Sequence, residues 1–265
     1  MPSIEAIDWY DLPRYYDLVF DEGTELEATF LEWVAGTYGR GLAQSKRRVL
    51  EPACGSGRLV VAMAERGWKV TGTDLSQPML EHATERLKEC GQKARLVHAD
   101  MASAQPKGKY DLAHCLVSTF KYLSSEKAAA AHLNHVADSL APGGVYVLGL
   151  HLSDYKSTKM ERERWIVESQ GTHVVCNIQT WPPDRAKRTE RVRSRLTVTE
   201  GSSIRRTETN WHFRTYDAAQ LRRLLAKAPA FEHSATFDFH YDTKAPAELD
   251  DDCYDTVLIL TKRRL

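Results

Sequence analysis

The sequence predicts an α/β protein built on a doubly wound, mostly parallel sheet, with an antiparallel β insertion after the fifth strand. Three observations lead there. Between Arg47 and Leu152, short apolar runs alternate with helix-like segments, the pattern of parallel strands covered on both faces. The first run ends in the glycine turn Cys54-Gly55-Ser56-Gly57. After Leu152 the texture changes to apolar/polar alternation, which marks half-exposed antiparallel strands.

The elements follow in order. Val49–Ala53 reads as the first strand, and Leu59–Arg66 as a helix with Leu59, Val60, Met63 and Ala64 inward. Lys69–Thr73 is the second strand, closed by Asp74. Ser76 is placed to cap the next helix, with Pro78 in its first turn and Gly91 to stop it. Arg95–Ala99 and Tyr110–Leu116 are the third and fourth strands. Ser125–Leu140 is an alanine-rich helix stopped at Ala141-Pro142-Gly143-Gly144, and Val145–Leu152 is the fifth strand. His173–Trp181, Arg191–Thr199 and Ile204–Phe213 form the antiparallel insertion. Tyr216–Lys227 returns to helix, and Phe231–Tyr241 with Tyr254–Lys262 closes the main sheet as a hairpin. The expected organisation is one domain: a helical cover (1–48), a ligand-binding core (49–153), the insertion (154–215) and a closing helix and hairpin (216–265).

Length and composition bound the function. The 265 residues suit one large α/β domain with an insertion. Thirty-six Lys+Arg balance 36 Asp+Glu, so no whole-protein field gathers nucleic acid. No apolar run reaches the ~18 residues of a membrane helix, and the acidic, aromatic N-terminus is unlike a signal peptide. Cys54, Cys90, Cys115, Cys176 and Cys253 are dispersed, with spacings that suit neither a zinc site nor a disulfide framework. A cytoplasmic protein with reduced thiols and no membrane association is expected.

Chemistry concentrates in Val49-Leu-Glu51-Pro-Ala53-Cys-Gly55-Ser-Gly57-Arg58 and in Asp74, which ends the second strand 19 residues beyond Gly55. Gly55 and Gly57, lacking Cβ, let a ligand approach the backbone at a helix start. An acid about 20 residues on is where a dinucleotide-type fold receives ribose hydroxyls. His98-Ala99-Asp100-Met101 follows the third strand.

With these residues in view, the stretch Val49–Leu152 resembles the class I S-adenosylmethionine-dependent methyltransferases, in their small-molecule branch. Ala53 stands where that family's turn has its first glycine. The resemblance implies a seven-stranded sheet of order 3-2-1-4-5-7-6 with strand seven antiparallel, and S-adenosyl-L-methionine as cofactor. It implies that Glu51 and the turn from Ala53 through Cys54, Gly55 and Gly57 to Arg58 wrap the methionine part. Asp74 would hold the ribose, Leu75 and Met79 flank the adenine, and Asp100 with Met101 meet its edge. Leu116, Val117 and Ser118 would line the other side. Tyr10-Asp-Leu-Pro-Arg-Tyr15-Tyr16-Asp17 resembles the family's N-terminal segment that closes over the cofactor, and Ser118–Leu123 its segment near the transferred methyl. The insertion is similar to that of amino-sugar N-methyltransferases.

Tyr16, Tyr122 and His151 are the candidate catalytic groups, and Tyr122, His151 and Arg214 the candidate acceptor contacts. Trp211 and His212 end the insertion beside Arg214. His132 and His135, spaced i, i+3, are expected to be solvated or partly packed, and no metal is expected. The acidic stretch Glu248–Asp252 reads as a solvated loop. The arginines of Arg191-Val-Arg193-Ser-Arg195 fall on one strand face, as on an ordinary solvated sheet. Together with the absence of an Asn/Asp-Pro-Pro-Tyr/Phe segment after the fourth strand, this favours a small-molecule methyl acceptor over nucleic acid. A monomer or homodimer fits. Two alternatives stay open: an NAD(P)-dependent Rossmann-fold oxidoreductase, for which Tyr155-x-x-x-Lys159 is the one local feature, and a non-catalytic cofactor-binding module.

Overall fold

The computed structural model describes residues 4–39, 47–103, 105–106 and 108–264. The chain begins with a two-residue strand, β1 (Glu5–Ala6), followed by helices α1 (Pro13–Phe20) and α2 (Thr24–Tyr38). Of the expected N-terminal cover, residues 1–3 and 40–46 lie outside the described residues.

The core then alternates as the sequence predicts: β2 (Arg48–Pro52), α3 (Arg58–Glu65), β3 (Lys69–Asp74), α4 (Gln77–Glu89), β4 (Arg95–His98), β5 (Tyr110–Cys115), α5 (Glu126–Ser139) and β6 (Leu140–His151). Local chemistry fixes the helix starts. Ser76 accepts from the Met79 N–H and Ser125 from the Ala128 N–H, each satisfying a free first-turn donor. Gly57 opens α3 at φ +79°, and a Cβ there would sit 2.7 Å from the Ala83 Cβ of α4. Both the turn and the helix contact therefore require glycine.

Beyond β6 come β7 (Glu161–Ser169), β8 (Thr172–Thr180), β9 (Thr189–Glu200), β10 (Ser203–Arg214), α6 (Ala218–Leu225), β11 (Phe231–Phe237) and β12 (Asp255–Lys262). The seven-stranded sheet runs β11-β12-β6-β5-β2-β3-β4, with β12 antiparallel to both neighbours. Counted along the sheet's own strands this is 3-2-1-4-5-7-6. Helices cover both faces: Phe30, Leu31, Leu59 and Met63 pack on one side, Leu133, Val136, Leu221 and Leu224 on the other. The second sheet has the order β1-β10-β9-β8-β7. A third core seals it against the N-terminal segment, through Trp9, Val19, Val174, Cys176, Leu196 and Val198.

Several expectations are corrected. The insertion has a fourth long strand, β7, whose opening Glu-Arg-Glu-Arg hid it; as an edge strand it keeps charges in water and buries little. Ala141–Gly144 ends α5 but lies within β6 as an irregularity. Tyr110 pairs with Leu140 while Leu112 pairs with Val145. His132 is neither solvated nor partly packed but fully buried. The arginines of β9 alternate with buried Glu190, Val192, Ser194, Leu196 and Val198. Arg195 pairs with Glu208 at 2.6 Å, and Arg191 stacks over Trp181 at 4.4 Å. Among the described residues no helix is long and apolar enough to cross a membrane.

Candidate active site

A cavity of about 1060 Å³ lies over the carboxyl ends of β2, β3, β5 and β6. The N-terminal segment and the inner face of the second sheet complete its wall.

One end is made by strand termini and turns. Ala53 and Gly55 take left-handed φ values of +55° and +54°, which turn the chain toward α3. The Cys54 N–H donates to the Thr73 carbonyl at 2.8 Å, and Asp74 accepts from the N–H of Gly55 at 2.7 Å and of Ser76 at 2.8 Å. Asp74 thus stitches two strand ends together while each oxygen keeps acceptor capacity. Desolvation raises its carboxyl, opposed by those backbone donors. Glu51 is 7% exposed, and its Oε2 is buried with no hydrogen bond. Burial pushes its carboxyl well up, although the Arg58 charge pulls it down. Arg58 pairs with Glu27 at 2.5 Å. Burial keeps the Cys54 thiol far above its ordinary value, so it is no nucleophile here.

Apolar surface faces the same end. Leu75 is 65% and Val117 49% exposed. Val117 and Ser118 are consecutive left-handed residues, φ +53° and +64°, a conformation that costs roughly 1–2 kcal/mol each outside glycine. Two bonds hold them: the Ser118 N–H donates to the Gly149 carbonyl, and the His151 N–H to Ser118 Oγ at 2.9 Å.

Asp100 Oδ1 accepts from the Ala102 N–H at 2.8 Å. The next carbonyl, of Met101, accepts from His132 Nδ1 at 2.8 Å, and His132 Nε2 lies 2.7 Å from the Tyr146 hydroxyl. A carbonyl only accepts, so Nδ1 carries the proton and Nε2 receives the Tyr146 O–H. Burial pushes His132 down to about 4, keeping it neutral. It supports the Asp100–Met101 turn from beneath, a role its i, i+3 spacing to His135 did not suggest.

The other end is aromatic. Trp165, Ile178, Val192, Trp211 and Phe213 reach it from alternate positions of β7 to β10, facing Tyr122 and the N-terminal Trp9, Tyr10, Tyr16 and Phe20. The Tyr10 hydroxyl donates to that of Tyr122 at 2.8 Å. Burial raises both phenols and pushes Tyr16 up to about 12, so all three are neutral at ordinary pH. His151 stands on this wall with Nδ1 2.7 Å from Asp255 Oδ1 and its ring against Phe239. The His151 hydrogen bond holds the Asp255 carboxyl below its usual range. It also places the imidazole proton on Nδ1, leaving Nε2 as the acceptor.

Of the sequence-predicted residues, the cavity brings together Tyr16, Glu51, Ala53, Cys54, Gly55, Arg58, Asp74, Leu75, Asp100, Met101, Leu116, Val117, Ser118, Tyr122 and His151. Four are not on its wall. Tyr15 donates to Glu200 at 3.2 Å, at the far end of β9. Gly57 faces α4. Met79 is fully buried in the core. Arg214 is held by Glu126 at 3.3 Å, tying β10 to the start of α5. Trp9, Glu163, Trp165, Phe213 and Asp255 were missed; the one signal for those on strands is period two, which gives the facing side but not what it faces. Tyr155 donates to Gln220 and meets Thr215 at 2.7 Å, so neither it nor Lys159 touches the cavity.

Residues 49–144 match a family model described as a methyltransferase domain. From β2 into β6 the chain is thus similar to methyltransferase domains. The ubiquinone biosynthesis O-methyltransferase of Aromatoleum aromaticum is 33% identical over 122 residues, 45% of this chain and 49% of the relative. The chain spans about half the length of the curated relatives it matches (56%, 44% and 49% for three of them). Two solved structures share the fold across nearly the whole chain. DesVI of Streptomyces venezuelae superposes with TM-score 0.77 at 18% identity, covering 97% of this chain and 99% of its own. The sugar N-methyltransferase KedS8 of Streptoalloteichus sp gives 0.76 at 19%, covering 100% and 96%.

Proposed function

We propose that this protein transfers a methyl group from S-adenosylmethionine to a nitrogen or oxygen of a small-molecule acceptor. One observation carries the reading: a single cavity joins the Glu51–Arg58 turn and Asp74 to an aromatic compartment beside His151. Its first end suits the cofactor chemically. The orphaned Glu51 Oε2 would receive an ammonium and the spare lone pairs of Asp74 a ribose diol. The open apolar surfaces of Leu75 and Val117 would hold a flat base between them, with Asp100 at its edge. Arg58 is the cation available to a carboxylate. Relatives named for O- and for N-methylation keep both acceptor atoms in the reading.

Held there by Glu51, Arg58 and Asp74, the cofactor would supply an electrophilic methyl on its sulfonium to an acceptor lone pair. The chain's own work is alignment and exclusion of water. Tyr10 and Tyr122 close the aromatic wall, and Tyr16 roofs it. His151 Nε2 takes the acceptor proton, with Asp255 as a positioning residue that fixes the ring.

Calorimetric titration with S-adenosylmethionine, NADH and NADPH tests this reading. Micromolar binding of the first alone is expected, and binding of a nicotinamide instead overturns it. His151→Gln lowers kcat about 10²-fold or more with cofactor affinity within twofold. Asp255→Asn lowers kcat less and displaces the pH–rate profile, which a purely structural role would leave in place.

A further inference from the structure

Charge is unevenly distributed around the cavity. Asp8, Asp11, Glu51, Asp74, Asp100 and Glu163 all line it, whereas Arg58 is the one lysine or arginine among the described residues that does. Its guanidinium is already joined to Glu27 at 2.5 Å, and on the reading above it serves the cofactor end. Lys121, on the turn that carries Tyr122, does not reach the cavity. It is buried against Glu190 at 2.5 Å, with Nζ 5.5 Å from the Phe213 ring centroid.

The acceptor end itself is built of π faces. Trp9 and Trp211 lie 4.8 Å apart, Tyr122 and Phe213 4.8 Å, Phe20 and Trp165 5.7 Å. Such faces carry negative quadrupole density and attract cations. Glu163 stands on β7 at the rim, two residues from Trp165 and on the same strand face. Desolvation raises its carboxyl and the nearby His151 lowers it, so the two groups feel each other across the opening. The Trp211 indole N–H is buried with no hydrogen-bond partner, a donor that a ligand oxygen would satisfy.

We infer that the methyl acceptor is an amine, bound as its ammonium ion on an apolar scaffold that carries a hydrogen-bond-accepting oxygen and no phosphate. The inference rests on the methyl-transfer reading and deepens it. An ammonium meets Glu163 and the aromatic faces. A phosphate would be stripped of water among carboxylates with no free lysine or arginine among the described lining residues to receive it, which disfavours nucleotide-linked acceptors. One proton passes from the ammonium to His151 Nε2. The freed nitrogen lone pair forms the N–C bond as the methyl's bond to sulfur breaks with its electron pair left on sulfur; the product leaves as its own ammonium ion, and His151 returns the one released proton to solvent.

The test uses the full chain saturated with S-adenosylhomocysteine, read by calorimetry and by the fluorescence of the cavity tryptophans. Three probes are titrated: 2-phenylethylamine, 3-phenylpropionate and uridine diphosphate glucosamine. The expected result is binding of the amine at least tenfold tighter than of the carboxylate, with no binding of the nucleotide sugar. Glu163→Gln weakens the amine at least fivefold and leaves S-adenosylhomocysteine within twofold. Equal or tighter binding of either anion overturns the inference, as does no binding of any probe or an unchanged amine affinity in Glu163→Gln. Failure of S-adenosylhomocysteine itself to bind strikes the methyl-transfer reading instead, and is seen before any probe is added.

Discussion

The two ends of the cavity are made in different ways. The cofactor end is built from consecutive residues at strand termini, where backbone N–H groups, left-handed turns and one carboxylate do the shaping. The aromatic end is built from side chains at every second position of four antiparallel strands, brought opposite an N-terminal segment some 150 to 200 residues away in the chain, as in the bond from Trp9 N–H to Thr209 Oγ1 at 3.1 Å. The first kind of site tolerates little change in a short motif. The second is free to vary its surface while the β ladder stays intact.

Four perturbations separate the two ends, from the largest expected effect to the smallest. The Lys121–Glu190 pair, with side chains 3% and 10% exposed, joins the aromatic sheet to the turn after β5. Glu190→Ala strands a buried ammonium and should cost about 3–5 kcal/mol of unfolding free energy. Lys121→Met combined with Glu190→Leu should recover most of it, as read by denaturant midpoints. A loss under about 1 kcal/mol in the single variant would mean that the pair does not hold the seam.

Asp74→Ala acts on the opposite end. It removes the acceptor of two backbone N–H groups and of the proposed ribose bonds, and should weaken cofactor binding by about 2–4 kcal/mol. Calorimetry checks this, and an unchanged affinity removes Asp74 from the cofactor site.

Acid should also loosen the core side first. Burial pushes His114 down to about 3 and His132 to about 4, below their ordinary 6.5. Below pH 6.5 the unfolded chain takes up protons that the folded chain refuses. The stability these residues contribute is therefore complete above 6.5 and is lost as pH falls, by about 1.4 kcal/mol per pH unit for each. An unfolding free energy flat between pH 7 and 5 would contradict the burial of both.

The smallest effect concerns the clasp of α1 on α4. His82 Nε2 lies 2.7 Å from Asp17 Oδ2, and that bond raises the imidazole's affinity for its proton. The sign is opposite: the contribution is complete below 6.5 and fades as pH rises through the folded value. Asp17→Asn should cost about 0.5–1 kcal/mol at pH 6 and less at pH 8, measured by thermal melting. An equal cost at both pH values would show that the histidine charge plays no part.

Much of the fold was legible because the parallel strands are continuous apolar runs and the helices carry their own caps, as at Ser76 and Ser125. The cofactor-end residues were legible for the same reason: sequence neighbours remain neighbours in a turn. Gly57 and Met79 show the limit of motif reading, since both belong to the motif region yet face α4 and the core. Strand β7 was hidden by its charges. His132, expected to be solvated or partly packed, is instead held between Tyr146 and the Met101 carbonyl.

The sequence by itself determined the doubly wound sheet, the turn at Ala53–Gly57 and the acid at Asp74, because periodicity and glycine turns act over a few residues. Only the tertiary structure decided that Asp255 orients His151, that Arg214 ties β10 to α5, and that Trp165, Trp211 and Glu163 share a cavity with Asp74. Those juxtapositions come from strand pairing and sheet packing across 88 to 137 residues of chain, and side-chain alternation alone carries no record of which face meets which.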